Sequence, residues 1–243
     1  MLLLLLISVV SMFSKTQAQD GQVKEILSKM QRAYQQANYL DFRVAYYYVN
    51  QGLPDKPLDS LLGRVQLDRN RCRLVIDNTE LLVTDKYTIQ VMRDEKTIYL
   101  SSARHSNLVD PVGLLDSLLG HMSGVHAELR HKDGAAILVM NFPPGGQYSK
   151  VTMLIDEKTG YLQRATYDVH AASLMSPESV ERPGHPGAYK PEGQVDVVFT
   201  GYRSGNFGET IFDESRFIRK VDDKYEPSER FKDYHIFLAS TNL

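Results

Sequence analysis

His121, His126 and His131 recur at intervals of five, with His170, His185 and His235 further along the chain. A helical zinc motif needs two ligands at i and i+4 on one face. An interval of five puts neighbours on opposite faces of a strand and off the shared face of a helix. The spacing therefore argues against a metal site. Ser123, in HMSGV, lacks the G-x-S-x-G frame that exposes a nucleophile on a strand–turn–helix elbow. PPGGQ and GYRSGNFGE are glycine-rich but have no following GK[ST], so they read as turns rather than phosphate loops. Glu209, Asp213 and Glu214 are carboxylates of the kind that perform paired acid–base work, yet they sit among turn residues and read as a solvated loop. No catalytic set, metal or other cofactor is expected.

The basic residues Arg64, Arg69, Arg71 and Arg73 carry more information. On a strand, Arg71 and Arg73 oppose Cys72, Leu74 and Ile76, which predicts a solvated outer face. The alternative is a grip on an anionic partner or lipid headgroup, which suits guanidinium groups. Arg69 follows Leu67 in a turn, where a long side chain can reach back over a rim. Tyr46, Tyr47 and Tyr48 belong to a set of 14 tyrosines in a chain without tryptophan. They offer broad apolar rings with polar tips, suited to core packing or to a cavity for acyl chains or an apolar peptide.

The elements that would position these residues are mostly strands. Val23, Ile26, Leu27, Met30, Ala33, Tyr34 and Ala37 fall at helical spacing and predict an amphipathic helix over 22–37, with Asp20 as its N-cap. DFRVAYYYVN alternates as a strand, and NQGLPDKPLDS reads as a loop. Strands follow near 62–67, 71–76, 79–84, 87–92 and 97–101, with connections short enough to force antiparallel neighbours. Asp110-Pro111 opens a second helix over 111–122, carrying Leu114, Leu115, Leu118, Leu119 and Met122. Further strands are predicted at 125–131, 135–141, 149–155, 161–169, 194–204 and 210–219, with an exposed loop over 171–193. The expected class is mainly β with two helices: an antiparallel, unclosed β-barrel or half-barrel of about 11 strands, with a helical lid on its concave face.

Residues 1–18 read as a secretory signal, with an apolar run from Leu2 to Val10 and cleavage expected after Ala18. The basic residue usual near the start of such a signal is missing. Residues 19–243 then form a single expected domain, with 229–243 as a tail. Net charge is −2 and becomes −3 when Lys15 leaves, too balanced for a nucleic-acid partner. The one cysteine, Cys72, forms no internal disulfide and reads as a small buried hydrophobe. A soluble monomer in an extracytoplasmic space is the expectation.

Taken in order, the export signal, helix 22–37, DFRVAYYYVN, the G-x-V-x-L-x-R run from Gly63 to Arg69 and ELLVTDKYTI resemble the LolA-like periplasmic lipoprotein carriers. DPVGLLDSLLG, TMLIDEKTGYLQRATYDV and the segment from VDVVFTGYRSGNFGE onward resemble that family's later helix and strands. The likeness spans about residues 22–228. It implies acyl chains held between a curved sheet and a helical lid, with inner- and outer-membrane transfer partners. The cavity wall would be Phe42, Val44, Tyr46, Tyr48, Val65, Leu67, Leu74 and Ile76, and the lid Leu115, Leu118 and Leu119. Arg69 matches the family's arginine tied to lid closure and cargo transfer. Gln90 stands where the family carries Trp, Tyr87 replaces part of a glycine turn, and the 171–193 loop and the tail differ. The competing expectation is an interaction or sensor subunit of an envelope assembly, using the same fold with a packed interior and the 171–193 loop or the basic face as its contact surface.

Overall fold

The computed structural model describes residues 21–50, 52–53, 55–103, 124–170, 192–205 and 208–240. Helix α1 covers residues 21–36 and buries Val23, Ile26, Leu27, Met30 and Tyr34, the stripe that its spacing predicts. The strands are β1 (Leu40–Asn50), β2 (Pro57–Asp68), β3 (Arg71–Ile76), β4 (Thr79–Val83), β5 (Tyr87–Met92) and β6 (Thr97–Ser102). They continue with β7 (His126–Lys132), β8 (Ala135–Asn141), β9 (Tyr148–Asp156), β10 (Leu162–His170) and β11 (Glu192–Ser204). Short strands β12 (Ile218–Val221), β13 (Lys224–Pro227) and β14 (His235–Leu238) complete the chain, with single-turn 3-10 helices at Glu209–Phe212, Glu214–Arg216 and Glu229–Phe231.

The expected class needs correction. Among the described residues there is one α-helix, and the second, at 111–122, lies outside them together with Leu115, Leu118 and Leu119. Twelve strands share one hydrogen-bonded order and two more form a separate ribbon. The pairing is not wholly antiparallel either, because β14 runs parallel to β6. The strand expected over 210–219 is mostly two 3-10 turns. Asp213 ends the first and caps the second by accepting the Ser215 N–H, so the segment coils where alternation predicts extension. β2 starts five residues before its predicted boundary, with Pro57 at the one strand position where a missing N–H costs least.

The chain divides into two compact units, and strands β1, β2 and β11 contribute residues to both. In the first unit, described residues within Met1–Ala33, Tyr47–Ser60 and Leu118–Val198 include β7 to β10. Antiparallel register aligns Leu129, Leu138, Met153, Ala165 and Val197 across five strands, with Ala127, Met140, Val151, Tyr167 and Val195 in the next row. These rows alternate with polar pairs such as Thr166–Asp196, the period-2 pattern of a strand with one buried face. α1 meets the β9–β10 turn at Gly160, which has φ +77° and would place a Cβ 3.0 Å from that of Ala33. Lys29 Nζ donates to the Glu157 carbonyl beside it.

In the second unit, described residues within Tyr34–Tyr46, Leu61–Ser117 and Phe199–Leu243 hold the meander β2–β6, joined by β14, with the β12–β13 ribbon.

Candidate functional site

Residues directly opposite in an antiparallel pair share a face. On one face of the meander the rows are Gly63–Ile76–Thr79–Met92–Thr97, Val65–Leu74–Leu81–Gln90–Tyr99 and Leu67–Cys72–Val83–Thr88–Ser101. Val44 joins this face, because a Cβ on Gly63 would lie 2.9 Å from Val44 Cγ1 and 2.7 Å from Ile76 Cγ1. By alternation Phe42 and Tyr46 lie there as well. Six of the expected wall residues in this unit therefore occupy positions on one face with Val44: Phe42, Tyr46, Val65, Leu67, Leu74 and Ile76. Phe42, Val44, Val65 and Leu67 are buried, while Leu74, Ile76 and Tyr46 are half-buried. Tyr48, in the portion of β1 that belongs to the first unit, is half-buried, and desolvation raises its phenol pKa.

Phe42 is covered by aromatic neighbours rather than by open space. Its ring stacks on Tyr202 at 4.9 Å and meets Tyr34 of α1 edge-on at 6.3 Å, with Phe199 at 6.2 Å. The Tyr34 and Tyr202 hydroxyls share a 2.6 Å hydrogen bond. Gly63, the first residue of the G-x-V-x-L-x-R run, has a packing reason to be glycine. Gly63→Ala is expected to lower stability by about 1–3 kcal/mol, read as a lower urea midpoint. Arg69 is exposed in the β2–β3 turn with φ 52°, a left-handed conformation that disfavours most side chains.

The opposite face overturns the outer-face expectation. Its rows run Arg64–Val75–Glu80–Val91–Ile98–Ile236 and Gln66–Arg73–Leu82–Ile89–Leu100–Leu238. The polar members of these rows all lie on β2 to β4, and β5, β6 and β14 contribute only apolar ones. Leu82, Ile89, Val91, Ile98 and Leu100 are fully buried under Phe212, Phe217 and Phe231 of the C-terminal segment. Arg71 and Arg73 thus belong to the face that the chain covers with its own tail. Phe217 and Phe231 stack at 5.7 Å with 19° between rings. Tyr87 and Tyr225 tie the ribbon to β5 through hydroxyls 3.0 Å apart, and that bond pushes the Tyr225 phenol up to about 12.

Beside this apolar block lie three buried carboxylates, each with arginine partners. Glu80 receives Arg73 Nε at 2.8 Å on one oxygen and Arg93 on the other, and Arg73 also donates to Gln66 at 2.7 Å. Asp68 pairs with Arg71, whose guanidinium lies 4.8 Å from the Phe212 ring centroid. Asp41 takes a two-pronged contact from Arg64, at 2.8 and 2.7 Å, and a third bond from Arg203 at 2.7 Å. The Arg64 hydrogen bonds, with help from Arg203, outweigh burial and hold the Asp41 carboxyl below the usual aspartate range. A depressed folded pKa contributes stability above the unfolded value of about 4, and that contribution is lost as pH falls through the folded value. Asp41→Asn should therefore be less stable than the parent at neutral pH and lose less further stability on acidification. Denaturant titrations at stepped pH check this.

The other candidate groups have structural partners. Glu214 accepts the Thr84 hydroxyl, and Asp213 caps its 3-10 turn. His126 and His131 lie on β7 and His235 on β14, while His170 ends β10; His121, His185 and Ser123 are outside the described residues. His131 Nδ1 meets Glu157. Among the described residues no group of three or more His, Cys, Asp or Glu is placed to hold a metal ion, and no helix is long and apolar enough to cross a membrane. Strand alternation alone misses the covered arginine face. Its signal is Phe212, Phe217 and Phe231, three phenylalanines spaced through a tail rich in charged residues.

No family model matches the chain, and comparison with curated proteins finds no match. Among solved structures, an uncharacterized conserved protein from Thermus thermophilus is similar at a TM-score of 0.49 with 10% identity, over 89% of this chain and 99% of that one. A LolA superfamily protein from Nitrosomonas europaea is similar at 0.36 with 11% identity, over 80% and 98%. The MucA/MucB complex of Pseudomonas aeruginosa contains a chain similar at 0.41 with 12% identity, over 84% of this chain and 72% of that one. These structural likenesses are distant, at 10–12% identity.

Proposed function

We propose that the protein is a non-catalytic interaction module of the cell envelope, exported to the periplasm by its N-terminal signal, with a sheet whose interior is filled by its own side chains. The observation that carries this reading is the cover on β4–β6. An apolar sheet face that could line a ligand cavity is instead occupied by Phe212, Phe217 and Phe231. Buried aromatic pairs of this kind are core packing, and acyl chains could occupy that face only by displacing them. Mass spectrometry of lipid extracted from the purified protein tests the reading. Acyl chains well below one per protein are expected, and stoichiometric acyl chains would overturn it.

A carrier reading keeps one specific support. Phe42, Val44, Tyr46, Val65, Leu67, Leu74 and Ile76 occupy a common face, and several of them are only half-buried. In that reading they are the cavity wall with Tyr48, Arg69 governs release, and the lid is Leu115, Leu118 and Leu119. Arg69→Gly is a cleaner probe than Arg69→Leu, because glycine adopts φ 52° without strain. Its stability should match or exceed that of the parent by up to about 1 kcal/mol. A carrier would then fold normally and fail to hand on a lipidated cargo, whereas the interaction module shows no cargo to lose.

A further inference from the structure

The arginines around Glu80 outnumber the charges that neutralise them. Arg73 and Arg93 share this one carboxylate. Arg216 lies near enough to feel Arg73, Glu80, Arg230 and Asp213, yet its hydrogen bond is to the Ile211 carbonyl, at 2.8 Å from Nη1. Among the described side chains no carboxylate lies within 4.0 Å of it, nor of Arg230. Their guanidinium carbons stand over the stacked pair Phe217 and Phe231, each 5.4 Å or less from its ring centroid. Arg216 is half-buried and Arg230 exposed, so the two form an accessible edge on a preorganised aromatic base.

Charge counting identifies the missing group. Arg73 and Arg93 share the Glu80 carboxylate, and Asp213 is committed to the Ser215 N–H, so neither Arg216 nor Arg230 holds a carboxylate in an ion pair among the described side chains. Desolvation, then repulsion from Arg73, holds the Arg216 pKa below the usual arginine value, so its charge is under-compensated where it stands. Guanidinium forks match the oxygens of a phosphate, and a phosphate monoester brings about −1.5 to −2 charges at neutral pH.

We propose that Arg216 and Arg230, with Arg73 beside Arg216, form a binding site for a phosphate-class oxyanion. The site serves a soluble phosphate or a lipid headgroup through the same chemistry. It rests on the same packed Phe217–Phe231 pair as the interaction-module reading, but a phosphate titration tests it separately from the lipid extraction that tests that reading.

The test is thermal unfolding of the purified protein titrated with sodium phosphate, against sodium chloride at matched ionic strength. Phosphate should give a saturable rise in Tm that chloride does not. Arg216→Gln and the exposed Arg230→Gln should each weaken the phosphate midpoint about tenfold or more, the loss expected for a charge-assisted hydrogen bond. Flotation with phosphatidylcholine vesicles, with and without phosphatidic acid, separates the sources. Arginine-dependent flotation with phosphatidic acid assigns a headgroup, and a phosphate response without flotation assigns a soluble phosphate. Equal shifts from phosphate and chloride, or unchanged phosphate midpoints in a folded Arg230→Gln protein, overturn the proposal.

Discussion

Phe217→Ala is expected to destabilise the protein by about 3–5 kcal/mol, the range for truncating a buried aromatic side chain. The residue is fully buried in the cluster that contains Leu82, Ile89, Val91, Ile98 and Leu100. Its ring stacks on Phe231, and its backbone carbonyl accepts the Ser228 N–H at 2.9 Å, which anchors the return of the chain after β13. Truncation therefore opens a cavity beneath the C-terminal segment and removes the stack that holds the 3-10 turn at Glu229–Phe231. Urea unfolding should show a lower midpoint with an unchanged slope. Phe237, which is 57% exposed, is the comparison: alanine there should change stability by no more than about 0.5 kcal/mol. A Phe217→Ala loss as small as that would mean that the tail only rests on β4–β6, and the packed-interior reading would fall with it.

The same tail explains which parts of the fold are legible in the sequence. The meander is readable because its information is local. Asp77 (φ 44°) and Arg69 (φ 52°) sit in two-residue connections, and alternation between such short turns leaves one pairing scheme. α1 is readable from the spacing of Val23, Ile26, Leu27, Met30 and Tyr34 for the same reason. Alternation also places Val65, Leu67, Leu74 and Ile76 together on a face. It does not say which face the chain covers, because β3 to β6 carry apolar residues on both. That choice is made by Phe212, Phe217 and Phe231, more than a hundred residues downstream of β3. Alternation assigns Arg71 and Arg73 to solvent from a pattern that fits either outcome. The strand expected at 210–219 fails through local chemistry. The Asp213 side chain captures a backbone N–H and turns the chain, so Phe212 and Phe217 enter the cluster from the ends of 3-10 turns rather than from strand positions.

Glu80→Ala is expected to cost about 3–5 kcal/mol, the penalty for removing one partner of a buried ion pair. The carboxylate is 2% exposed, and its two oxygens hold Arg73 and Arg93, which are 18% and 30% exposed. Without it, two partly desolvated guanidiniums face one another near Arg216, with only Gln66 left as a polar acceptor for Arg73. The cost is chiefly repulsion and unmet desolvation rather than lost attraction, and this distinction can be measured. Glu80→Gln preserves shape and one hydrogen-bond acceptor but removes the charge, so it should fall between parent and alanine. Adding Arg73→Met to Glu80→Ala should recover part of the loss, because removal of a like charge offsets the missing carboxylate. Strict additivity of the two losses in denaturant titrations would contradict this account. The site would then be held together by packing against Leu82 and Val91, with the ion pairs contributing little.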